Sequence, residues 1–517
     1  MEILFNFVAA EFPKTPSPKP ARIPPQTPPA GGKSVEAGRI QNPRKIVCPA
    51  SSALFPFYSF GFSAKWVLTF SNKHHHYMIK TATKIVEKLQ HEGFEAYFAG
   101  GYVRDLLLER QSSDIDIVTS ANPEEVESLF NTTHPIGKQF GVILVVEDNK
   151  SFEVTTFRKE HGYEDKRRPS KVSFTTAKND ALRRDFTING MFYNPVNNKV
   201  IDYVGGQEDV KKKVIRFIGD PLQRIEEDHL RLVRAIRLRT TLGFQYDAKT
   251  FEAVRSLSQL IKGVSSERIR DELNKIMASH LRHQGLVELS ESALLKHLIW
   301  EIDALKGIPQ PIEYHHEGDV FTHTYLALKS LPADCPSHIA WAVMLHDIGK
   351  AKTLKNLNGK IVFHGHAAIS SRMARSILER LRFSTYEINN ICYLVENHMT
   401  IGDIAKMRPA KKYAFLLHPW MKDLIDVARA DAAGTYPPNQ ELVKQIEGYL
   451  EEALAWKRQK EQCTDLKIFS GDDLIKLGFV PGEKFKEILE TVQDEIVDGH
   501  IKTNSKAREL VLERFKK

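Results

Sequence analysis

The stretch from Ala99 to Val118, AGGYVRDLLLERQSSDIDIV, restricts the fold of this chain more than any other. Successive side chains of an extended strand alternate between faces, so Asp114 and Asp116 share one face and Ile115 and Ile117 the other. One face is then apolar and buries, while the other carries two neighbouring carboxylates. Such anions repel unless a cation lies between them, and hard oxygen ligands suit Mg²⁺. Upstream, Gly100-Gly101 precedes Arg104, Asp105 and the apolar run Val103, Leu106, Leu107, which reads as a tight turn into a helix. Backbone N–H groups at such a turn can approach a phosphate closely, and Arg104 is placed to clamp it.

A DxD alone is most often a solvated surface pair. A diglycine turn, an Arg, an amphipathic helix and a DxD strand within twenty residues are far more specific. The passage resembles the head motif of the nucleotidyltransferase superfamily, in the branch of CCA-adding tRNA nucleotidyltransferases and bacterial poly(A) polymerases. Glu109 departs from it, standing where the family usually has Gly. Two further strands, GVILVVE and SFEVTTF, follow the N-capped helix ANPEEVESLF. Glu153 is a candidate third carboxylate, and Arg158 follows at once. RRDFTIN, with Arg183, Arg184 and Asp185, resembles the family's second motif. There an Arg meets the nucleotide and the Asp reads the ribose, as guanidinium and carboxylate chemistry allow.

Residues 217–311 read as helical. In EDHLRLVRAIR, Asp228 and Arg231 are three apart and so neighbours on a continuous helix. An arbitrary pair of this kind is usually an intrahelical salt bridge. Here the segment resembles the family's template motif, and the chemistry gives a mechanism. An acceptor beside a donor matches N4–H₂ and N3 of cytosine or N6–H₂ and N1 of adenine. Guanine and uracil present the reverse order, leaving groups unpaired at roughly 1–3 kcal/mol each. Arg234, one turn on, is placed for phosphate. The capped helix Ser265 to Met277 reads as scaffold.

Residues 312–435 carry a second chemistry. His323, His346, Asp347 and Asp431 resemble the H…HD…D pattern of the HD metal-dependent phosphohydrolases, and His366 and His398 the added histidines of two-metal members. Any one of these histidines alone is more often a packed core residue. Together they imply a divalent metal, of identity the residues do not fix, lowering the pKa of a bound water at a phosphate. Lys350 is a candidate phosphate contact. Residues 436–517 resemble the C-terminal helical, tRNA-contacting region of bacterial CCA-adding enzymes; a charged helical domain is the plainer reading.

Net charge is a poor argument for RNA binding here. Of the formal +8, the first 77 residues contribute +6, from nine Lys/Arg against three Glu. They also hold eleven of the 25 prolines, which excludes helix or central strand through KTPSPKPARIPPQTPP. The uncharged stretch 46–64 is nineteen residues long, but its prolines and serines argue against a membrane span. The folded chain is expected to begin near Met78, and the start of translation with it. Four dispersed cysteines with no CxxC argue for a reduced compartment.

The expectation is therefore an α+β chain. A nucleotidyltransferase mixed-sheet head (78–216) is followed by an all-α neck (217–311), an HD domain (312–435) and a C-terminal helical region (436–517). The resemblance implies a cytoplasmic enzyme that adds CCA to tRNA from CTP and ATP. Asp114 and Asp116 would be catalytic and hold Mg²⁺; Gly101, Arg104, Arg183, Arg184, Asp185, Asp228, Arg231 and Arg234 would bind the nucleotide. Rival readings are an A-adding enzyme or poly(A) polymerase, an HD phosphodiesterase whose head only grips RNA, and a non-catalytic RNA-binding protein.

Overall fold

A computed structural model describes residues 64–112, 114–161, 171–311, 313, 315–436, 441–461 and 469–515. The Pro-rich run and the uncharged stretch up to residue 63 lie outside them, as does the charged linker 162–170. The first helix runs Ala64–His91, so it crosses the boundary expected near Met78. The physical reason is plain: no Pro or Gly interrupts residues 64–92. Its face of Ala82, Ile85, Val86 and Leu89 is fully buried against the head sheet.

The head sheet is built from β1 (Ala96–Ala99), β2 (Asp116–Thr119), β3 (Thr133–Gly137), β4 (Val142–Glu147) and β5 (Lys150–Thr156). A separate ribbon pairs β6 (Arg158–His161) with β7 (Lys171–Phe174), and β8 (Phe192–Asn194) and β9 (Lys199–Ile201) complete the sheet. Its order is β3-β4-β5-β2-β1-β8-β9, with β2 and β5 parallel and the other neighbours antiparallel, hence mixed. The strand with the aspartates sits centrally, with Ala99 opposite Asp116 and Ile117 opposite Val154. Ile115 and Ile117 are buried while Asp114 and Asp116 are exposed, so the expected alternation holds, although Asp114 precedes the strand proper. The helix Pro123–Leu129 starts in a capping box made by Asn122 and Glu125.

Beyond the head the chain is helical, apart from two short ladders among the described residues. Val214–Ile215 pairs with Gln245–Tyr246, and Lys355–Leu357 folds back on Lys360–Val362 through Asn358-Gly359, both at positive φ. One apolar core runs from Phe186, Ile188 and Met191 of the head through the neck into the helices around Trp341. The helices Gly471–Lys476, Glu483–Val497 and Asn504–Phe515 pack on a small core of their own. No described helix is long and apolar enough to cross a membrane.

The helical reading of the segment holding Asp228 needs correction. Helix Pro221–Glu227 ends at Asp228, whose φ of −142° and ψ of 105° are extended, and a new helix begins at Arg231. Asp228 and Arg231 are therefore not neighbours on one continuous helix.

Candidate functional site

A cavity of about 700 Å³ opens between the head sheet and the neck. Gly100, Gly101, Asp116, Glu153, Arg158, Arg183, Arg184, Asp185, Asp228, Arg231 and Arg234 all line it. The strand-borne carboxylate and the neck residues thus face one cleft.

At its floor, Asp116 stands beside Asp114 and Glu153. Although the residue still meets solvent, partial desolvation of its carboxyl in the cleft, then Asp114, then Glu153 push it up to about 6 against the pull of Arg184. Arg184 offsets only part of this crowding, and the oxygen-rich set suits a divalent cation. Gly100 has φ +69°, and a Cβ there would lie 3.4 Å from Arg184 Nη1 and 3.6 Å from Asp116 Oδ2. Glu109, the departure from the family pattern, adopts φ +54°, the left-handed conformation that Gly takes without penalty. The turn is kept, at a cost of about 1–2 kcal/mol.

Arg104 does not reach into the cleft. Its guanidinium donates to Asp105 at 2.9 Å and to Asn189 Oδ1 at 2.8 Å, joining the turn to the loop after Asp185. Arg183 and Arg184 are held by a residue the sequence reading missed. Asp180 is fully buried; its Oδ1 accepts from Arg183 Nε and Nη2 (2.9 and 2.7 Å), its Oδ2 from Arg184 Nε and Nη2 (3.1 and 3.0 Å). The signal was its spacing, three and four residues before the two arginines. Asp185 accepts from Phe186 N–H at 2.8 Å and pairs with Arg234. Burial would raise its carboxyl, but Arg234 and Arg231 hold it down at about 2.

The side chains of Asp228 and Arg231 do not pair with each other; only the Arg231 N–H donates to the Asp228 backbone carbonyl, at 3.0 Å. Arg268, from the helix Ser266–Met277, grips both oxygens of Asp228 at 3.1 and 2.7 Å, and Leu230 N–H donates to Oδ1 at 3.1 Å. The helix read as pure scaffold thus supplies a cleft-side contact. Of four acceptor positions on this carboxylate, one remains, on Oδ2. Arg231 donates Nη1 to Glu227 and to Arg224 O, both at 2.6 Å, and Nη2 to Arg183 O at 3.3 Å. That leaves its Nε–H and one Nη2–H.

The second cluster gathers its groups from five helix-borne positions. His323 lies within Val320–Ser330, His346 and Asp347 follow Ser337–Leu345, His366 opens His366–Arg380, His398 follows Thr385–Asn397, and Asp431 lies in Met421–Gly434. His346, His366 and His398 donate Nδ1–H to the carbonyls of Val343, Phe363 and Val395 at 2.7–2.9 Å. Their Nε2 lone pairs therefore point inward. His323 and His346 Nε2 lie 3.3 Å apart, His366 and His398 Nε2 3.2 Å apart, with Asp347 3.2 Å from His346 and 3.3 Å from His366. Asp431 lies 3.0 Å from His323 Nε2. Lone pairs and carboxylates at these separations require a positive centre, and the donors suit one or two divalent metals. Without one, a proton serves: burial pulls His346 down, but Asp347 and Asp431 outweigh it and raise it to about 10.

Lys350, expected on a phosphate, is buried and donates to Asp347 Oδ2 at 2.7 Å and to Gln310 Oε1 at 2.8 Å. It offsets the charge of that buried carboxylate. Gly349 packs so tightly that a Cβ would lie 2.5 Å from His366 O. The adjoining cavity, about 950 Å³, is lined by Asp347, His366, His398 and Asp431 and by apolar Phe363, Ile401 and Val443. Also missed were Glu317 and His315, just before the first helix of this region.

Comparison with known proteins matches three families: "Poly A polymerase head domain" over 96–216, "Probable RNA and SrmB- binding site of polymerase A" over 243–306, and "HD domain" over 320–436. A CCA-adding enzyme of Bacillus pumilus is 44% identical over 236 residues, 45% of this chain and 59% of that relative. One from Bacillus cytotoxicus is 31% identical over 432 residues, 83% of this chain and 96% of the relative. The chain thus spans about three-fifths of the first relative and nearly all of the second. Among solved structures, the Bacillus stearothermophilus CCA-adding enzyme in complex with CTP superposes with TM-score 0.61 at 24% identity, covering 85% of this chain and 98% of that one. The Thermotoga maritima CCA-adding enzyme complexed with tRNA gives 0.52 at 20%, covering 83% and 94%. At these identities the structures establish the shared fold.

Proposed function

This chain belongs to the family of CCA-adding enzymes, and on that premise we propose that it adds C, C and A to the 3′ end of tRNA from CTP and ATP without a nucleic-acid template. One observation carries the reading: Asp116, the Arg183–Arg184 pair, Asp228 and Arg231 line a single cleft. Asp114 and Asp116 would hold Mg²⁺, which when bound supplies charge neutralisation for in-line displacement of pyrophosphate at the α-phosphorus. Every other role belongs to the chain itself. Asp180 fixes two guanidinium groups that face the triphosphate. Asp185, ionised and braced by Arg234, accepts from the ribose hydroxyls. Arg104 acts on the turn that carries Gly101, through Asn189, and not on phosphate.

The remaining acceptor on Asp228 Oδ2 takes the amino hydrogen of cytosine or adenine, and a remaining Arg231 donor takes the ring nitrogen. Arg268 holds Asp228 in place for this, so base choice rests on three residues, not two. The motifs support a head over 78–216, a neck over 217–311, an HD region over 312–435 and a C-terminal region over 436–517, and a cytoplasmic location fits dispersed cysteines, two of which are free and buried. The five-segment cluster supports a second activity, hydrolysis of a phosphoester, with His323, His346, Asp347, His366, His398 and Asp431 holding a divalent metal that activates water when bound.

The test is incubation of the purified protein with tRNA lacking CCA and each NTP singly, then CTP with ATP. Addition of C from CTP, completed by A only when ATP is present, is expected. Incorporation of ATP alone would assign an A-adding enzyme or poly(A) polymerase instead.

A further inference from the structure

Between the neck and the first helix of the HD region, Pro309 bridges to Asp319, and the described residues 310, 311, 313 and 315–318 lie between them. There Glu317 turns inward, its side chain 1% exposed. Glu317 Oε1 accepts from His323 Nδ1 at 3.2 Å and from His315 Nδ1 at 2.6 Å, and Oε2 accepts from the Tyr436 backbone N–H at 3.0 Å. Gln310 extends the contact: its Nε2 lies 3.4 Å from Glu317 Oε1, while its Oε1 accepts from Lys350, the partner of Asp347.

His323 is set apart from the other three histidines of the cluster. His346, His366 and His398 each donate Nδ1–H to a neutral backbone carbonyl three residues back. His323 donates to a buried carboxylate instead. A carboxylate behind a histidine fixes the tautomer with Nε2 unprotonated, locks the ring plane and makes Nε2 a stronger base toward a metal. It does so more strongly than a carbonyl, because the bond is charge-assisted.

Resting on the reading of this cluster as a divalent-metal centre, we propose that Glu317 is its positioning residue, holding His323 with Nε2 toward the metal. His315 shares the carboxylate but directs only its Nδ1 there; its ring meets that of His323 edge-on at 5.5 Å and borders the adjoining cavity. It is a second passenger on Glu317 and not required for metal binding. The identity of residue 317 follows from its four donors: two imidazole N–H groups, the Gln310 amide and one backbone N–H converge on it. A glutamine offers one oxygen where two are needed, and sets its NH₂ against a donor.

The test uses the full-length protein and Mn²⁺ or Co²⁺ alone, by equilibrium dialysis with metal analysis and by the Co²⁺ absorption spectrum. Asp114→Asn and Asp116→Asn are present throughout to silence metal binding in the head. In that background, Glu317→Gln is expected to weaken metal binding by about 10–100-fold and shift the Co²⁺ bands. Glu317→Asp, which keeps the charge on a shorter stem, restores part of the affinity, and His315→Ala leaves it within about threefold. Circular dichroism and Tm identify any variant that fails to fold, in which case Glu317→Asp alone decides, by binding metal less tightly than the parent. Glu317→Gln and Glu317→Asp matching the parent in affinity and spectrum would overturn the inference, and so would a His315→Ala defect as large as that of Glu317→Gln. A parent that takes up no metal would overturn the metal-centre reading beneath it, a result distinct from a parent that binds metal indifferently to residue 317.

Discussion

Asp180→Asn tests how the cleft is built. Asp180 is fully buried and takes four hydrogen bonds from two guanidinium groups whose side chains are 18% and 16% exposed. Burial raises its carboxyl, but Arg184 and Arg183 outweigh it, so the group stays ionised. Removing one partner of a buried ion pair costs about 3–5 kcal/mol. The arginines line an open cleft, where water relieves part of that cost, so the lower end, about 3 kcal/mol, is expected in urea unfolding. The functional effect is larger than the stability loss suggests. Two side chains released from a common anchor no longer meet the triphosphate in one geometry, and a displacement near 1 Å costs about 100-fold. CTP incorporation at saturating tRNA, below the unfolding midpoint, should show kcat/KM falling by about that factor. A variant that loses about 3 kcal/mol yet keeps kcat/KM within threefold would refute the reasoning, since the arginines would then need no anchor.

Asp228→Ala removes the base-reading acceptor and strands Arg268, so preference for CTP over UTP should fall by about 5–150-fold, as the cost of one unpaired buried group dictates, in competition assays. Asp185→Asn should destabilise the protein by about 2 kcal/mol at neutral pH. The folded carboxyl lies at about 2, below its ordinary 3.8, so its stabilisation is present above about pH 4 and vanishes as pH falls towards 2; parent and variant stabilities should converge over that window. Gly349→Ala drives a Cβ into backbone, 2.5 Å from His366 O and 2.7 Å from Ser370 N, and should lower stability by about 3 kcal/mol, read as a drop in Tm.

Much of this site was legible because its chemistry lies in short sequence intervals. Asp116 alternates with buried isoleucines, and the strand pairing that places Glu153 beside it follows from that pattern. The histidine cluster was legible through the recurrence of His and Asp at helix ends. What the sequence hid were the partners of the functional residues. Arg268 reaches Asp228 across forty positions, and nothing local in the segment around it marks a contact with the cleft. Nothing in the sequence around Glu317 marks it as buried, and only the return of Tyr436 and the fold of His315 and His323 around it bury the carboxylate. The break at Asp228 was hidden for another reason: the apolar spacing of Leu230, Val233 and Ile236 continues the neck pattern past a residue whose backbone is extended.

One cleft serves both the reacting phosphate and the base. The measurement that bears on it most directly is CTP binding and single-turnover CTP incorporation by Asp114→Asn/Asp116→Asn beside Asp228→Ala. The double variant should bind CTP, still preferring it to UTP, while incorporating none; Asp228→Ala should incorporate with its preference lost. Incorporation by the double variant at the parent rate would contradict it.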